Sequence, residues 1–540
     1  MQSESPNVAS VLLSQMALWG IQNIYGIAGD AIIPLLNAIQ HQDAIRYFAV
    51  RHESSAAFMA SAEGRCTSRI GVCIGTSGPG LANMLNGIAD AAADHVPMLV
   101  ITGQVMSNKV GTEAKQYIDQ QQLINPLAVY STCLLHPNNI LTLINKAIIE
   151  AISKKGVSHV SIPKDVFALP CSLSVRPPTG LLKHTYPKNL TQLNQVVEAL
   201  KSARQPMIYI GQGSRSASSL IMELAERLNA GIIETLGAKG TIPANHDLNL
   251  GGIGEGGTKE SSELLKQSDC LLIIGANWYP NTFVPKETQV IKIDLSPGSI
   301  EAQQDITLGI VGDAAEVVNL LIHKISRNEH VEWLDKVRKT KNVITQMLDR
   351  ERQSVDHTIS PQALMAAMEQ SIAADAIITL DTGDHTIWFN RIFRAKQQMV
   401  TFSGKWRTMG YGLPAAISAK LQYPEKEVTA LVGDGSFMMT SMELSTLVKY
   451  NAPIKIIVTN NGTLAAEKSK MIAAGLKPYG VELTNPDFPM LASSFGIKSI
   501  KVDHFDNLSD ALHEVYSDDQ AVLLDVHITD PAPSLTGYSS

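Results

Sequence analysis

Cysteine is scarce in this sequence: Cys66, Cys73, Cys133, Cys171 and Cys270 are scattered and never form a CxxC pair. That spacing argues against a disulfide framework or a cysteine zinc site and fits a reducing compartment. Long apolar runs are missing as well. No stretch reaches the roughly 18 apolar residues of an integral membrane segment, and the opening MQSESPNVAS lacks the charged and apolar regions of an export signal. A cytoplasmic location is expected. Nor is there an excess of positive charge, since 44 Lys and Arg stand against 51 Asp and Glu, for a formal net charge of −7. Without a basic block, nucleic acid is not an expected partner. Short-period repeats and low-complexity tracts are also absent.

What the 540 residues do contain is a succession of short Val- and Ile-rich runs separated by helix-length segments: GVCIG, PMLVITG, PMIYIG, DCLLIIG, QVIKID, DAIITLD, EVTALVG and PIKIIVTN. These predict buried parallel strands in alternating α/β order. Pro, Ser and Gly concentrate between Pro170 and Gly180, as in a linker, and a charged helical stretch runs from about residue 330 to Ser360-Pro361. The expected organisation is three doubly wound parallel-sheet domains, over residues 1–175, 181–328 and 361–540, with a helical linker over 329–360.

The stretch from Val428 to Ala465 carries the chemistry. VTALVGDGSF predicts a strand ending in a turn, a helix follows, and IKIIVTNNG predicts a second parallel strand. Both strands then end on one sheet edge, where ligands of open α/β sheets bind, so Asp434 and Asn461 share that edge although 27 positions apart. One carboxylate and one amide oxygen form an incomplete hard-ligand set, which Mg²⁺ completes with water and phosphate oxygens. Gly433 and Gly435 let backbone approach a diphosphate. GDG alone reads as a tight turn and NNG alone as a strand end; the pair at this spacing is specific.

The pattern GDGSF followed by NNG resembles the thiamine-diphosphate signature of the 2-oxo-acid decarboxylase superfamily, whose members include pyruvate oxidases and acetohydroxyacid synthases. The resemblance extends over nearly the whole chain. It implies Mg²⁺ on Asp434, Asn461 and the carbonyl of Thr463, and thiamine diphosphate against Gly29, Gly78, Asn83, Asp384, Met409, Gly433, Gly435, Ser436, Gly462 and Thr463. By itself Glu53, in RHESSAAFMASAEG, is an ordinary capping or ion-paired glutamate. The resemblance makes it the acid beside the aminopyrimidine ring, with Gln116 at the substrate and Met409 supporting the bent cofactor. Glu53 and Asp434 lie in different domains. In the family those domains come from different subunits, so a homodimer or homotetramer with interfacial sites is expected.

In the middle unit, Gly211, Gly213, Gly252 and Gly275 offer N–H groups to a diphosphate, and Asn277, Asp294 and Asp313 complete an expected FAD site. GANWYP resembles the flavin region of pyruvate oxidases. The leading expectation is oxidative decarboxylation of pyruvate through FAD to oxygen or quinone. The alternative is acetolactate-type carboligation with FAD outside the redox chemistry; a non-catalytic paralogue is the third reading. Lys115 and Tyr117 flank Gln116 where the family has an aromatic and an acid, and Ala466 and Lys470 replace its Phe and Glu. Two readings follow: loop lysines turned to solvent, or Lys115 with Lys470 receiving the acidic tail of a larger 2-oxo acid.

Overall fold

The computed structural model describes residues 6–67, 69–180, 190–278, 280–328, 331–353 and 357–530. Three all-parallel sheets organise them. The first contains β1 (Asn23–Gly26), β2 (Arg46–Ala49), β3 (Gly71–Gly75), β4 (Met98–Gln104), β5 (Ala128–Cys133) and β6 (Val157–Pro163), in the order β2-β1-β3-β4-β6-β5. The middle sheet contains β7 (Pro206–Ile210), β8 (Gly231–Glu234), β9 (Cys270–Ile274), β10 (Gln289–Asp294) and β11 (Leu308–Val311), ordered β11-β10-β9-β7-β8. The third contains β12 (Ile377–Leu380), β13 (Met399–Phe402), β14 (Val428–Gly433), β15 (Lys455–Asn460), β16 (Lys498–Val502) and β17 (Val522–His527), ordered β13-β12-β14-β15-β17-β16. Each of the eight apolar runs forms a strand. β3, β4, β7 and β9 are buried at every position, because helices cover both faces of a parallel sheet.

The first and third sheets share one strand order, a repeat that the sequence does not display. Each switches direction beside its first strand, between β1 and β3 and between β12 and β14. Crevices open at such points beyond the carboxyl ends of the strands.

The first and third domains pack through helices rich in small residues. Helix Glu53–Cys66 buries Ala56, Ala57, Ala60 and Ala62, and helix Gly412–Gln422 buries Ala415, Ala416 and Ala419. Phe58 meets Tyr411 edge-on with ring centroids 6.0 Å apart, and the Ser418 hydroxyl donates to the Met59 carbonyl at 2.8 Å. The charged segment after residue 330 is not a free linker. It forms helix Val331–Glu351, docked on the middle domain: the Trp333 indole donates to Pro206 O, and Lys341 donates to Ala244 O and Asn249 O. Among the described residues no helix is long and apolar enough to cross a membrane.

Candidate active site

Four strand ends of the third sheet build one half of the site. β14 and β15 are adjacent and in register from Thr429 with Lys455 to Gly433 with Thr459, which sets Asp434 beside the Asn461 turn. The Asp434 carboxylate is buried; Oδ2 accepts the Gly462 N–H and the Asn485 amide, each at 2.8 Å, and Oδ1 accepts the Gly435 N–H. Asn461 Oδ1 accepts the Thr463 N–H at 3.2 Å, and the Thr463 carbonyl accepts Ala465 N–H at 2.9 Å. Ser436 closes the turn on Gly433 N–H and C=O. Asn485, which the sequence does not single out, also donates to Asn460 Oδ1, so it locks the Asp434 carboxylate to the neighbouring strand.

Asp384 begins the helix after β12 and is buried. Its carboxyl is pushed up to about 6 by burial first, then by Asp530 and, less, by Asp434. Burial likewise raises Asp434 above the usual carboxylate range. Among the described residues neither forms an ion pair with Lys or Arg, whereas Asp530 is paired with Lys468 at 2.6 Å. Two such buried carboxyl groups at one sheet edge fit a bound cation, and a single ligating carboxylate leaves coordination places for phosphate oxygens. Among the described residues no cluster of three or more His, Cys, Asp or Glu forms a metal cage, in keeping with that mixed donor set. A cleft of about 540 Å³ touches Asn461 and Gly462, but it runs towards Thr358 and Asp503, away from Asp434 and Met409.

The tips of Leu464, Leu483 and Met409 converge on Gly435, at 3.0, 3.1 and 3.4 Å from where a Cβ would stand. A side chain there would press on all three tips, which form an apolar wall fit for a heterocycle. The Met409 loop is held by Asp381, whose two carboxylate oxygens accept Gly410 N–H at 2.9 Å and Gly412 N–H at 2.8 Å. Gly410 adopts φ +91°, a conformation that disfavours any other residue. Beneath the turn, burial lowers His385 to about 4, and its Nε2 lies 2.8 Å from the Asp381 carbonyl. The ring is therefore neutral and donates from that nitrogen.

Burial also pushes Asp381 up to about 6. The folded protein holds this proton more tightly than the unfolded chain, so the associated stability is complete below about pH 4 and is lost as pH rises through about 6, on the order of 3 kcal/mol. Asp381→Asn, which carries no charge at any pH, is expected to flatten the fall in unfolding free energy over that interval. Denaturant titrations at either end check this; an unchanged slope contradicts it.

The first sheet presents the other half at the same kind of edge. Gly29 follows β1, Glu53 follows β2, Gly78 follows β3 and Gln116 follows β4. Gly29 packs on Thr76, and a Cβ on Gly78, at φ +63°, would stand 2.7 Å from the Gln116 carbonyl. Gln116 itself adopts φ +64°, an uncommon strain for a residue with a side chain. Glu53, half-buried at the first turn of its helix, accepts the Asn83 amide at 2.9 Å. Thus Gly29, Gly78, Asn83, Gln116 and Glu53 gather at one edge, and Asp384, Met409, Gly433, Gly435, Ser436, Asp434, Asn461, Gly462 and Thr463 at the other. Among the described residues no hydrogen bond joins Glu53 to the second group. Lys115 is exposed, and Lys470 is exposed and paired with Glu467 at 2.8 Å, which favours the solvent-facing reading of that lysine.

In the middle domain the expected N–H donors are occupied. Gly211 N–H donates to Ile274 O, Gly213 N–H to Gly275 O, and Gly275 N–H to Ile293 O. A Cβ on Gly211 would lie 2.2 Å from Gly275 O, so these glycines serve to interlock two strand-end turns. Asp313 caps the following helix on Ala315 and Glu316 N–H, and Asp294 accepts Ser296 N–H. Asn277 is exposed, and Gly252 packs beside the Asn390 amide. The three strand-end N–H groups are thus bonded within the protein, and the Asp294 and Asp313 carboxylates are engaged with main-chain N–H groups. Lys155, which the sequence reading passed over, adopts φ +48° at the end of a first-domain helix and feels the charges of Asp294 and Asp313.

Comparison with known proteins matches the three domains one by one. Residues 6–123 fit the thiamine pyrophosphate enzyme N-terminal TPP binding domain, 193–321 the central domain and 381–526 the C-terminal TPP binding domain. The chain belongs to the thiamine pyrophosphate enzyme family. It is 33% identical over 519 residues to the putative thiamine pyrophosphate-containing protein YdaP of Bacillus subtilis, covering 95% of this chain and 90% of that one. It is 31% identical to the probable acetolactate synthase large subunit of Methanococcus aeolicus, covering 98% and 93%. Against the acetolactate synthase large subunit of Corynebacterium glutamicum it is 32% identical, covering 94% and 84%. As a family member the chain is a thiamine diphosphate-dependent enzyme, and the Asp434 edge lies in its C-terminal TPP binding domain.

Proposed function

We propose that the protein is a Mg²⁺- and thiamine diphosphate-dependent carboligase of the acetolactate synthase type, which decarboxylates a small 2-oxo acid and joins the remaining fragment to a second one. The observation that carries this reading is the likeness to acetolactate synthase large subunits over almost the entire chain. When bound, thiamine diphosphate would supply a nucleophilic carbon and, in its cationic thiazolium ring, an electron sink for decarboxylation. Asp434, Asn461 and the Thr463 carbonyl would hold the metal beside the diphosphate. Met409, Leu464 and Leu483 wall the apolar end and exclude water. Glu53, oriented by Asn83, exchanges a proton with the aminopyrimidine ring.

The reading also takes the site to be shared between two copies of the chain, with Glu53 of one facing Asp434 of the other. Exposed Met438, Met439 and Met442 beside Asp434, together with Trp406 before Met409, supply apolar surface for a second copy to cover.

Carboligation moves the electron pair to a second carbonyl and needs no electron carrier, in keeping with occupied N–H donors in the middle domain. The oxidase reading predicts the opposite. With pyruvate under anaerobic conditions, the purified enzyme is expected to accumulate acetolactate while any flavin absorbance persists. Bleaching of flavin without acetolactate would restore oxidation as the main reaction.

A further inference from the structure

The turn between Asp434 and the end of its helical segment holds a buried acid that the chemistry above leaves unused. Glu443 is fully buried, and its Oε1 accepts the main-chain N–H groups of Arg51 at 3.1 Å and His52 at 3.2 Å. Its Oε2 accepts the Thr446 hydroxyl at 2.5 Å. Arg51 and His52 belong to the first domain and lead directly into Glu53. A few residues further on, the Tyr450 hydroxyl accepts Ala49 N–H at 2.5 Å, and the Tyr450 ring meets Phe48 edge-on at 4.9 Å. Phe48, Ala49, Arg51 and His52 are therefore clamped from the third domain, while Glu53 itself faces Asn83.

A buried carboxylate without a basic partner is unfavourable unless its acceptor capacity is filled. Among the described residues Glu443 forms no ion pair, and what fills its acceptors is the pair of N–H groups leading into the Glu53 helix together with the Thr446 hydroxyl. The helix already has a local cap, since the His52 ring accepts Ser54 N–H. Glu443 thus adds an anchor that local helix capping does not require. It also ties that anchor to the element beginning at Asp434: Thr440 at the end of helix Asp434–Thr440 touches Gly410 of the Met409 loop, and Glu443 follows three residues later.

We propose that Glu443 is a positioning residue, which fixes the approach of Glu53 to the aminopyrimidine ring from across the domain boundary. The inference rests on the role given to Glu53 above. A glutamine at 443 keeps an oxygen for both N–H groups and turns its NH₂ to the Thr446 oxygen, so geometry survives; an alanine leaves the two N–H groups unpaired.

The test uses the full-length enzyme loaded with Mg²⁺ and thiamine diphosphate, following exchange of the thiamine C2 proton by quenched-flow NMR alongside turnover. Glu443→Ala is expected to slow exchange and kcat together by about tenfold or more, with cofactor Kd changed less than about threefold, and Glu443→Gln to stay within about threefold of wild type. Wild-type exchange in Glu443→Ala overturns the proposal. So does an equal loss in Glu443→Gln, which would point to charge instead of geometry. If Glu443→Ala does not fold, Glu443→Asp, one methylene shorter, decides: slowed exchange supports the clamp and unchanged exchange removes it. Glu53→Gln runs in parallel. Unchanged exchange there refutes the role of Glu53 itself, whereas slowed exchange with a normal Glu443→Ala refutes only the clamp.

Discussion

Asp434→Ala is expected to weaken binding of Mg²⁺ with thiamine diphosphate by at least about 100-fold and to abolish turnover. Asp434 is the only carboxylate in the proposed ligand set, and Asn461 and the Thr463 carbonyl bring dipoles alone. Removing it also releases the Gly462 N–H and the Asn485 amide, which now converge on Oδ2. Loss of fold is not the expected cause. Burial raises the carboxyl and, among the described residues, it has no basic partner, so the apoprotein gives up an unfavourable ionisation along with three hydrogen bonds. Thermal melts separate the two outcomes. Ligand at about 100 times its wild-type Kd stabilises wild type by about 2.7 kcal/mol, and a variant binding at least about 100-fold more weakly should gain no more than about 0.4 kcal/mol from the same ligand concentration.

Glu53→Gln is the second large effect, with kcat falling by about 10²- to 10⁴-fold while cofactor affinity stays near wild type. Glutamine keeps an oxygen for the Asn83 amide, so the side chain holds its place and loses only the exchangeable proton. Calorimetry for binding and a steady-state assay for kcat check the split. A loss confined to affinity would make Glu53 a binding group and nothing more.

How much of this could be read beforehand follows from what each residue touches. The strands β3, β4, β7, β9, β10, β12, β14 and β15 announce themselves because burial on both faces makes them unbroken apolar runs. Edge strands do not. β16 carries Lys498 and Lys501 and is largely open to solvent, β5 is half-buried throughout, and β2 starts at exposed Arg46. The spacing from Asp434 to Asn461 was legible because β14 and β15 pair directly. Asp381, Glu443 and Asn485 were not, since each acts on main-chain or side-chain polar groups far away in sequence and looks like any other polar residue there. In the middle domain a strand-end glycine admits either an anion or another backbone, and the close packing of Gly211 and Gly213 on Gly275 is not legible in sequence.

Mixing two dead variants probes the shared site directly. A dimer of one Asp434→Ala chain and one Glu53→Gln chain contains one site with both defects and one with neither, provided that each site draws its acid from the opposite copy. Co-expression with random pairing should then restore about a quarter of wild-type turnover from variants that are each inactive alone. Turnover that stays at the level of the separate variants would place Glu53 and Asp434 of one chain in the same site and contradict the account.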